Sequence, residues 1–258
     1  MTEARIITMK TAVDFDKMAI AGAAVAAVHQ GVRNAAHPGV TTAELDRVAA
    51  DVLKQHGCRP SFLGYHGFPA TICTSPNNSI VHGIPGKYRL AEGDVLSVDA
   101  GAIYEGWHAD AAFTMAIGKI SGKARELIEV TEAALWDGLV HARAGNRLGD
   151  IGHAIESRAL PLHYGVVREY IGHGIGRQMH EAPNVPNYGN PGSGLKLKIG
   201  MALAIEPMFN LGTEETRLLD DGWTVVTSDG AISAHFEHTV AVTEEGPLVL
   251  TLPEPELL

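Results

Sequence analysis

Apolar and polar residues follow two different periods along the first half of the chain. Over Asp16–Ala36 the apolar residues recur at helical spacing, and His37-Pro38-Gly39 ends the pattern. A second helical pattern begins after Thr41, a residue suited to an N-cap, and continues until Gly57. Residues 62–118 carry short β-branched runs between Gly and Pro turns, as strands do. The first half therefore predicts two helices followed by strands.

The same order of elements returns in the second half. Helical spacing covers roughly Ala124–Ala142 and Leu148–Leu162, and a region of strands and turns fills Val167–Leu252. An order that appears twice in one chain is typical of a duplicated structural unit.

Superposing the two halves of the sequence supports the duplication. Leu90–Asp99 matches Leu197–Glu206, since each is a Gly turn, an alternating strand and a carboxylate. Asp110–Gly118 resembles Glu237–Gly246, because in both an acid opens an apolar strand. We expect an α+β fold with two halves related by a pseudo-two-fold axis, each with a sheet that faces helices. Chance similarity of two amphipathic strands is the alternative.

Length and composition set the domain organisation. With 45% hydrophobic and 19% charged residues, the 258-residue chain has the composition of a folded protein with a large core. We expect one domain over residues 1–258, with halves of about 12–118 and 124–250 and an N-terminal arm of residues 1–11.

The net charge of −10 argues against partners that need an excess of Lys and Arg, such as DNA or an anionic membrane. No run of about 18 apolar residues is present, and the first residues lack a hydrophobic signal core. We therefore expect a cytoplasmic protein. Two cysteines, Cys58 and Cys73, are too few for a disulfide framework.

Four carboxylates stand inside strands of otherwise apolar sequence: Asp99, Asp110, Glu206 and Glu237. Most other acids of the chain fit a solvated surface, but these four lie among Val, Leu, Ile, Ala and Phe. Uncompensated charges in such surroundings cost several kcal/mol, and neighbouring like charges raise each other's pKa. Two divalent cations would balance the four charges, so the pattern indicates a metal site.

Histidines strengthen the metal hypothesis. His173 lies in the Gly-rich segment Gly172–Arg177, where glycines let the backbone approach closely. A lone histidine of this kind is more often structural, but together with the four acids it becomes a candidate ligand. Seven histidines fall in the Gly-rich strand regions: His66, His82, His108, His173, His180, His235 and His238.

The four acids and His173, in the order Asp99, Asp110, His173, Glu206 and Glu237, resemble the five metal ligands of the type I methionine aminopeptidases. Those enzymes have the "pita-bread" fold, which is also found in aminopeptidase P, prolidase and creatinase. The resemblance covers about residues 16–250. It implies that Asp110 and Glu237 bridge two metal ions, that Asp99 chelates one ion, and that His173 and Glu206 bind the other. The matching segments are Ser97–Gly101, His108–Asp110, Gly172–Arg177, Ala204–Pro207 and Phe236–His238.

Other segments point to the bacterial methionine enzymes rather than to the proline-specific ones. These are residues 62–69, 77–85 and 221–224. The short stretch before the first helix also leaves no room for the additional N-terminal domain of prolidase-like proteins. The resemblance implies that the pocket for the methionine side chain uses Phe62, Tyr65, Phe68, Cys73, Met179 and Trp223. Met179 and Phe68 depart from a common bacterial pattern, which leaves the fine shape of that pocket open.

The resemblance also implies a reaction. Two divalent ions, Mn, Fe or Co, would activate a water that cleaves the N-terminal methionine from nascent proteins and peptides whose second residue is small. Glu206 would be the general base, His180 would polarise the scissile carbonyl, and His82 would bind the peptide and assist proton transfer.

Two alternatives share the fold. A proline-directed aminopeptidase or dipeptidase would use the same five ligands, and a non-catalytic binding module would be expected to lose some of them. We expect a monomer with peptide substrates and no DNA or membrane partner, and a transient ribosome contact stays open.

Overall fold

The computed structural model describes residues 7–258, so residues 1–6 of the predicted arm lie outside the described residues. Two helices precede the strands in each half, as the periodicity predicts. No helix within residues 7–258 is long and apolar enough to cross a lipid bilayer. The helices are α1 (Ala12–Ala35), α2 (Thr42–Gln55), α3 (Gly122–Val140) and α4 (Leu148–Ala159), and single 3₁₀ turns lie at Tyr65–Gly67 and Leu160–Leu162.

Helix α1 begins four residues before the predicted start at Asp16. Thr11 is its N-cap: the amide of Asp14 donates to the Thr11 hydroxyl, and the Thr11 amide donates to the Asp14 carboxylate at 2.9 Å. This reciprocal pair satisfies two amides that the helix cannot bond internally, which fixes the start of α1. The same device, built from Thr41 and Glu44, starts α2.

Sixteen strands accompany the helices within the described residues. They are β1 (Arg59–Pro60), β2 (Ile72–Pro76), β3 (Ser79–Val81), β4 (Val95–Tyr104), β5 (Trp107–Ala116), β6 (Gly165–Val166), β7 (Gly172–Gly174), β8 (Glu181–Val185), β9 (Ala202–Ile205), β10 (Met208–Asn210), β11 (Thr216–Leu218), β12 (Val225–Thr227), β13 (Ser233–His235), β14 (Glu237–Val242), β15 (Pro247–Val249) and β16 (Glu256–Leu257).

The strands of both halves join in one ten-stranded antiparallel sheet. Its main path runs β1-β4-β5-β14-β9-β7-β8, with β2 paired to β4 and β15 and β16 added beside β14. The first half contributes β4 and β5 and the second β9 and β14, so the predicted pseudo-two-fold relation passes between β5 and β14. Two three-stranded sheets, β13-β10-β6 and β11-β12-β3, complete the fold.

The helices cover the sheet with apolar side chains. Helix α1 packs on β4 and β5, while α3 packs on α4 and on strands of the second half. Val25 and Val28 of α1 and Leu127 and Leu135 of α3 are buried in one large core cluster. Burying such side chains stabilises the fold by about 1.5–3 kcal/mol each. The sheet is thereby held as a rigid support for the side chains on its other face.

Candidate active site

One cavity of about 290 Å³ collects the predicted site residues. All of the metal-ligand, catalytic and methionine-pocket candidates line it, and His66 lines it with them. The cavity divides into an acidic side, formed by the centre of the ten-stranded sheet, and an apolar side, formed by β2, the segment between β1 and β2, and the loops that carry Met179 and Trp223.

Strand pairing places the acids of the cavity side by side. Asp99 of β4 and Glu237 of β14 both pair with Ala112 of β5, from opposite sides. Asp110 lies two residues from Ala112 on the same strand and therefore on the same face. Ala112 carries only a methyl group, which leaves open space between the three carboxylates.

His173 and Glu206 reach the same space from the next strands. His173 of β7 and Thr239 of β14 both pair with Ala204 of β9, and Glu206 follows the end of β9 directly. The Nε2 atom of His173 lies 3.7 Å from Asp110 Oδ2 and 3.7 Å from Glu206 Oε1. Four of the predicted ligands thus lie on four strands, β4, β5, β7 and β14, and the fifth, Glu206, directly follows β9.

The histidine ring is held with one nitrogen toward the acids. Its Nδ1 lies 2.9 Å from the carbonyl oxygen of Gly174, so this nitrogen carries the proton and Nε2 keeps a free lone pair. Burial lowers the pKa of His173 to about 4, which keeps the imidazole neutral near pH 7. A Cβ on Gly174 would lie 2.1 Å from the Ala182 carbonyl oxygen, so only glycine lets β7 approach β8 here.

The carboxylates are buried, and their neighbours are also acids. Asp110 is 1% and Glu237 is 2% exposed. Burial, with a smaller contribution from Asp110, raises the pKa of Asp99 well above its usual value. Burial and the neighbouring acids likewise raise the pKa values of Glu206 and Glu237. The pKa of Asp110 rises only to about 6, because the effect of burial is partly offset by His180 and by a hydrogen bond from Thr239.

The donor set fits a divalent metal. Asp110, His173 and Glu237 offer ligand atoms that all lie within 4.8 Å of one another. Asp99 Oδ1 is buried and has no hydrogen-bond partner, a costly arrangement for a carboxylate oxygen unless a cation lies beside it. Carboxylates with one imidazole suit Mn, Fe or Co better than a thiolate-rich zinc site does.

The apolar side of the cavity is a wall of buried side chains. Phe62, Phe68, Cys73 and Met179 pack together there, with Tyr65 and Trp223 partly buried against them. The Phe68 and Trp223 rings meet edge to face at 5.1 Å. The backbone amides of Trp223 and Thr224 both donate to the Asp221 carboxylate, which holds the turn that carries Trp223. Aromatic rings and one flexible methionine make a lining suited to an unbranched apolar side chain.

The two sides of the cavity are in direct contact. Cys73 of β2 pairs with Asp99 of β4, so the apolar wall begins one strand away from the acids. An apolar group in this wall would therefore hold the atoms attached to it next to the candidate metal centre.

Two further histidines line the cavity from different loops, His82 after β3 and His180 between β7 and β8. His180 accepts or donates a hydrogen bond between its Nδ1 and the Tyr65 hydroxyl at 2.8 Å, and its ring lies 4.1 Å from the His173 ring. His82 follows β3 with a left-handed backbone, φ 60°. Burial lowers the pKa of each to about 4, so both rings are neutral near pH 7.

Comparison with known proteins decides the family. The sequence model of metallopeptidase family M24 matches residues 16–244. The chain belongs to metallopeptidase family M24.

Within the M24 family the similarity is to methionine aminopeptidases. The methionine aminopeptidase of Clostridium acetobutylicum is 52% identical over 250 residues, which cover 96% of this chain and 100% of that protein. The solved structure of methionine aminopeptidase from Thermotoga maritima superposes with a TM-score of 0.94 at 42% identity, covering 96% of this chain and 100% of the other. The resemblance found in the sequence motifs is confirmed.

The pita-bread fold is confirmed as well. The prolidase of Pyrococcus furiosus has a TM-score of 0.77 at 21% identity and covers 94% of this chain and 65% of its own, a likeness of fold alone. Membership of the M24 family, together with the cluster of Asp110, His173 and Glu237, makes this chain a metal-dependent hydrolase of peptides.

Sequence reasoning left three residues of this M24 site without a role. His66 lines the cavity and packs on Tyr65 at 4.4 Å. His235 is buried with Nε2 unpaired, 3.8 Å from Glu206 Oε2. His66 and His235 are two of the seven histidines in the Gly-rich strand regions, and that location is the sequence feature that indicates a place in the site. Thr239, whose hydroxyl bonds Asp110, gave no signal, because threonine is ordinary in a strand.

Proposed function

We propose that this M24 peptidase removes the N-terminal methionine from nascent proteins and peptides whose second residue is small. The observation that carries the proposal is the contact between the two sides of the cavity, with Cys73 of the apolar wall beside Asp99 of the acids. A methionine side chain in that wall places its own backbone at the acids. The 52% sequence identity to the methionine aminopeptidase of Clostridium acetobutylicum supports the same substrate.

Two divalent ions, Mn, Fe or Co, would be held by Asp99, Asp110, His173, Glu206 and Glu237. When bound, such ions polarise a carbonyl as Lewis acids and lower the pKa of water toward neutrality. Two ions match the charge of the four carboxylates, which the fold otherwise leaves buried together.

Glu206 is the proposed general base. Burial and the charges of Asp110 and Asp99 raise its pKa, so its carboxylate is a better proton acceptor than an exposed glutamate. It takes a proton from the attacking water and returns that proton to the leaving amine. Its side chain is 14% exposed against 2% for Asp110, so it is the more accessible of these two carboxylates.

His180 and His82 are proposed to hold the peptide. With the Tyr65 hydroxyl donating to Nδ1, the proton of neutral His180 lies on Nε2, which can donate to the scissile carbonyl and to the oxyanion that develops from it. His82, from the opposite loop, contacts the peptide and assists proton transfer. Because both rings are neutral near pH 7, each can donate one N–H and accept at its other nitrogen.

The remaining features follow from this function. We propose that residues 1–258 form one catalytic domain whose halves span about 12–118 and 124–250, and that the enzyme acts as a monomer. Action on nascent chains would place the reaction in the cytoplasm. The second residue must be small because a long side chain would meet the crowded acids and histidines.

Peptide cleavage tests the proposal. The metal-free protein is assayed with Met-Ala-Ser, Met-Lys-Ser and Ala-Pro peptides after addition of Mn, Fe or Co. We expect cleavage of Met-Ala-Ser alone, and only with metal. Equal rates on Met-Lys-Ser, or preference for Ala-Pro, would overturn the assignment.

Variants of the acids sharpen this test. Asp110→Asn should reduce turnover by more than about tenfold, a loss above about 1.4 kcal/mol, because an amide cannot supply the carboxylate charge. Asp94→Asn is the matched control, since Asp94 is also buried but bonds Asn77 and Tyr88 away from the cavity. Circular dichroism confirms that both variants fold.

A further inference from the structure

A buried ion pair joins the start of the described chain to the loop that carries His180. Lys10 and Glu181 lie 2.8 Å apart, and their side chains are 2% and 7% exposed. The Thr8 hydroxyl bonds both partners. We name these three residues, Thr8, Lys10 and Glu181, the N-terminal clamp.

Every side-chain hydrogen-bonding atom in the clamp has a partner. The Lys10 ammonium donates to Glu181 at 2.8 Å, to the Thr8 hydroxyl at 2.6 Å and to the Thr8 carbonyl at 3.3 Å. The Lys10 backbone amide donates to the Gly200 carbonyl at 2.7 Å, which fixes this segment to the turn before β9. Lys10 is therefore anchored at both its backbone and its side chain.

Glu181 passes this anchoring to the loop of residues 175–180. One carboxylate oxygen accepts from Lys10 and Thr8, and the other accepts from the backbone amide of Gln178 at 3.1 Å. Met179 and His180, which line the cavity, are the two residues between Gln178 and Glu181. The carboxylate thus closes a tight turn whose two enclosed side chains both face the substrate space.

The charge of Lys10 is needed for this arrangement. Burial alone would raise the pKa of Glu181, but the hydrogen bonds from Lys10, Thr8 and Gln178 hold it below the usual range. Without the ammonium, the buried Glu181 carboxylate would keep its bonds from Thr8 and Gln178 but would have no positive charge beside it. It would then turn toward water or take up a proton. Either change weakens its bond to the Gln178 amide and loosens the turn.

We propose that Lys10 and Glu181 are positioning residues that hold His180 in its place against the peptide carbonyl. The inference rests on the proposed function of His180. Tyr65 orients the His180 ring from one side through the 2.8 Å bond to Nδ1, and the clamp fixes its backbone from the other. None of the three clamp residues lines the cavity itself.

The test compares Lys10→Met with the double variant Lys10→Met/Glu181→Gln. Methionine keeps the length of the lysine chain without its charge. In the double variant the glutamine can accept from Gln178 through Oε1 and donate to Thr8 through Nε2, so the turn is closed without a buried charge. We expect kcat for Met-Ala-Ser to fall at least about tenfold in the single variant with KM within about threefold, and kcat to recover to within about threefold in the double variant.

Lys17→Met is the matched control. Lys17 pairs with Glu105 at 2.7 Å, but this pair is 32% and 55% exposed. The backbone carbonyl of Glu105 accepts from Arg177 of the loop, a bond that does not involve the Lys17 ammonium. Its removal should leave kcat unchanged, because exposed ion pairs contribute little.

A second measurement is independent of activity and of metal. Arg177 is exposed in the same loop, so trypsin cleavage after Arg177 in the metal-free protein reports how firmly the turn is held. We expect cleavage to be at least about tenfold faster in Lys10→Met than in the wild type or Lys17→Met, and to slow again in the double variant. If the protein failed to cleave Met-Ala-Ser at all, the proposed function would be wrong while this measurement would still decide the role of the clamp.

The proposal is overturned if kcat and the rate of trypsin cleavage of Lys10→Met match those of the wild type. It is also overturned if the double variant stays as slow as the single one, since the loss would then not come from an unpaired Glu181. Should Lys10→Met fail to fold, Thr8→Val replaces it: this removes a neutral hydroxyl from the clamp, and an unchanged trypsin rate would contradict the proposal.

Discussion

The buried acids should make the stability of this protein depend on divalent metal, and this dependence should grow with pH. Asp99, Asp110, Glu206 and Glu237 share one cavity, and the pKa of each is raised in the metal-free protein. The perturbation is therefore removal of metal by a chelator, followed by thermal melts at pH 5 and pH 7.5 with and without Mn.

Asp110 gives the direction and size of the pH effect. Its pKa rises from 3.8 to about 6 on folding, first because of burial. Between these values the folded protein keeps a proton that the unfolded chain has released, so stability falls as pH rises through this window. Above it the folded protein has lost about 3 kcal/mol from this residue alone. Asp99, Glu206 and Glu237 shift in the same direction and extend the loss to higher pH.

Bound metal should reverse this loss, because it compensates the ionised carboxylates. A cation at 100 times its Kd adds about 2.7 kcal/mol for each site. For a chain of this length 1 kcal/mol moves Tm by roughly 2–4 °C, so one site should raise Tm by about 5–11 °C at pH 7.5. At pH 5 protons compete for the same oxygens, and the rise should be smaller.

Two variants distinguish a change of Tm that comes from the cavity acids from one that comes from elsewhere in the protein. Glu237→Gln removes one like charge, so it should raise the Tm of the metal-free protein at pH 7.5 and reduce the response to Mn. Asp94→Asn should lower Tm equally with and without Mn, since its partners lie elsewhere. If elemental analysis shows empty protein and Mn still leaves Tm unchanged at pH 7.5, the carboxylates do not share a cation site and the reasoning is refuted.

Two further predictions concern the walls of the cavity. Ala112→Leu should weaken Mn binding in calorimetric titration by at least about tenfold, because its side chain would fill the space between Asp99 and Glu237; Ala116→Leu, at the end of the same strand, should bind Mn normally. Phe68→Ala should raise KM for Met-Ala-Ser about tenfold with a smaller change in kcat, since it removes methionine contacts rather than reacting groups. An unchanged KM would show that the methionine side chain binds elsewhere.

That the four acids lie in one cavity could be anticipated because each stands in or next to a strand of apolar sequence. A carboxylate such as Asp110 in a sequence of Ala and Phe has no local reason to be there, and the repeat of the pattern at Glu237 pairs the halves. The helices were predictable for a similar reason, since their spacing depends only on neighbouring residues. The roles assigned to His82, His180 and Glu206 stay predictions.

Features that depend on distant contacts could not be predicted. The pairing of Asp99 and Glu237 with the same Ala112 requires the register of three strands, which no local pattern gives. Lys10 looks like an ordinary surface lysine until the fold brings Glu181 beside it. The joining of both halves into one sheet likewise depends on the meeting of β5 and β14, which are far apart in the sequence.

The meeting of β5 and β14 also sets the order in which the molecule can mature. Asp110 and Thr239, which bond across this junction, are 129 residues apart, and closing so long a loop favours slow folding. The candidate cation ligands come from both sides of the junction, so a cation would bind only after the halves have met and would slow unfolding rather than speed folding. Glu237 is made 127 residues after Asp110. An enzyme proposed to act on chains still being translated would therefore receive its own metal only after Glu237 of its own chain has been made.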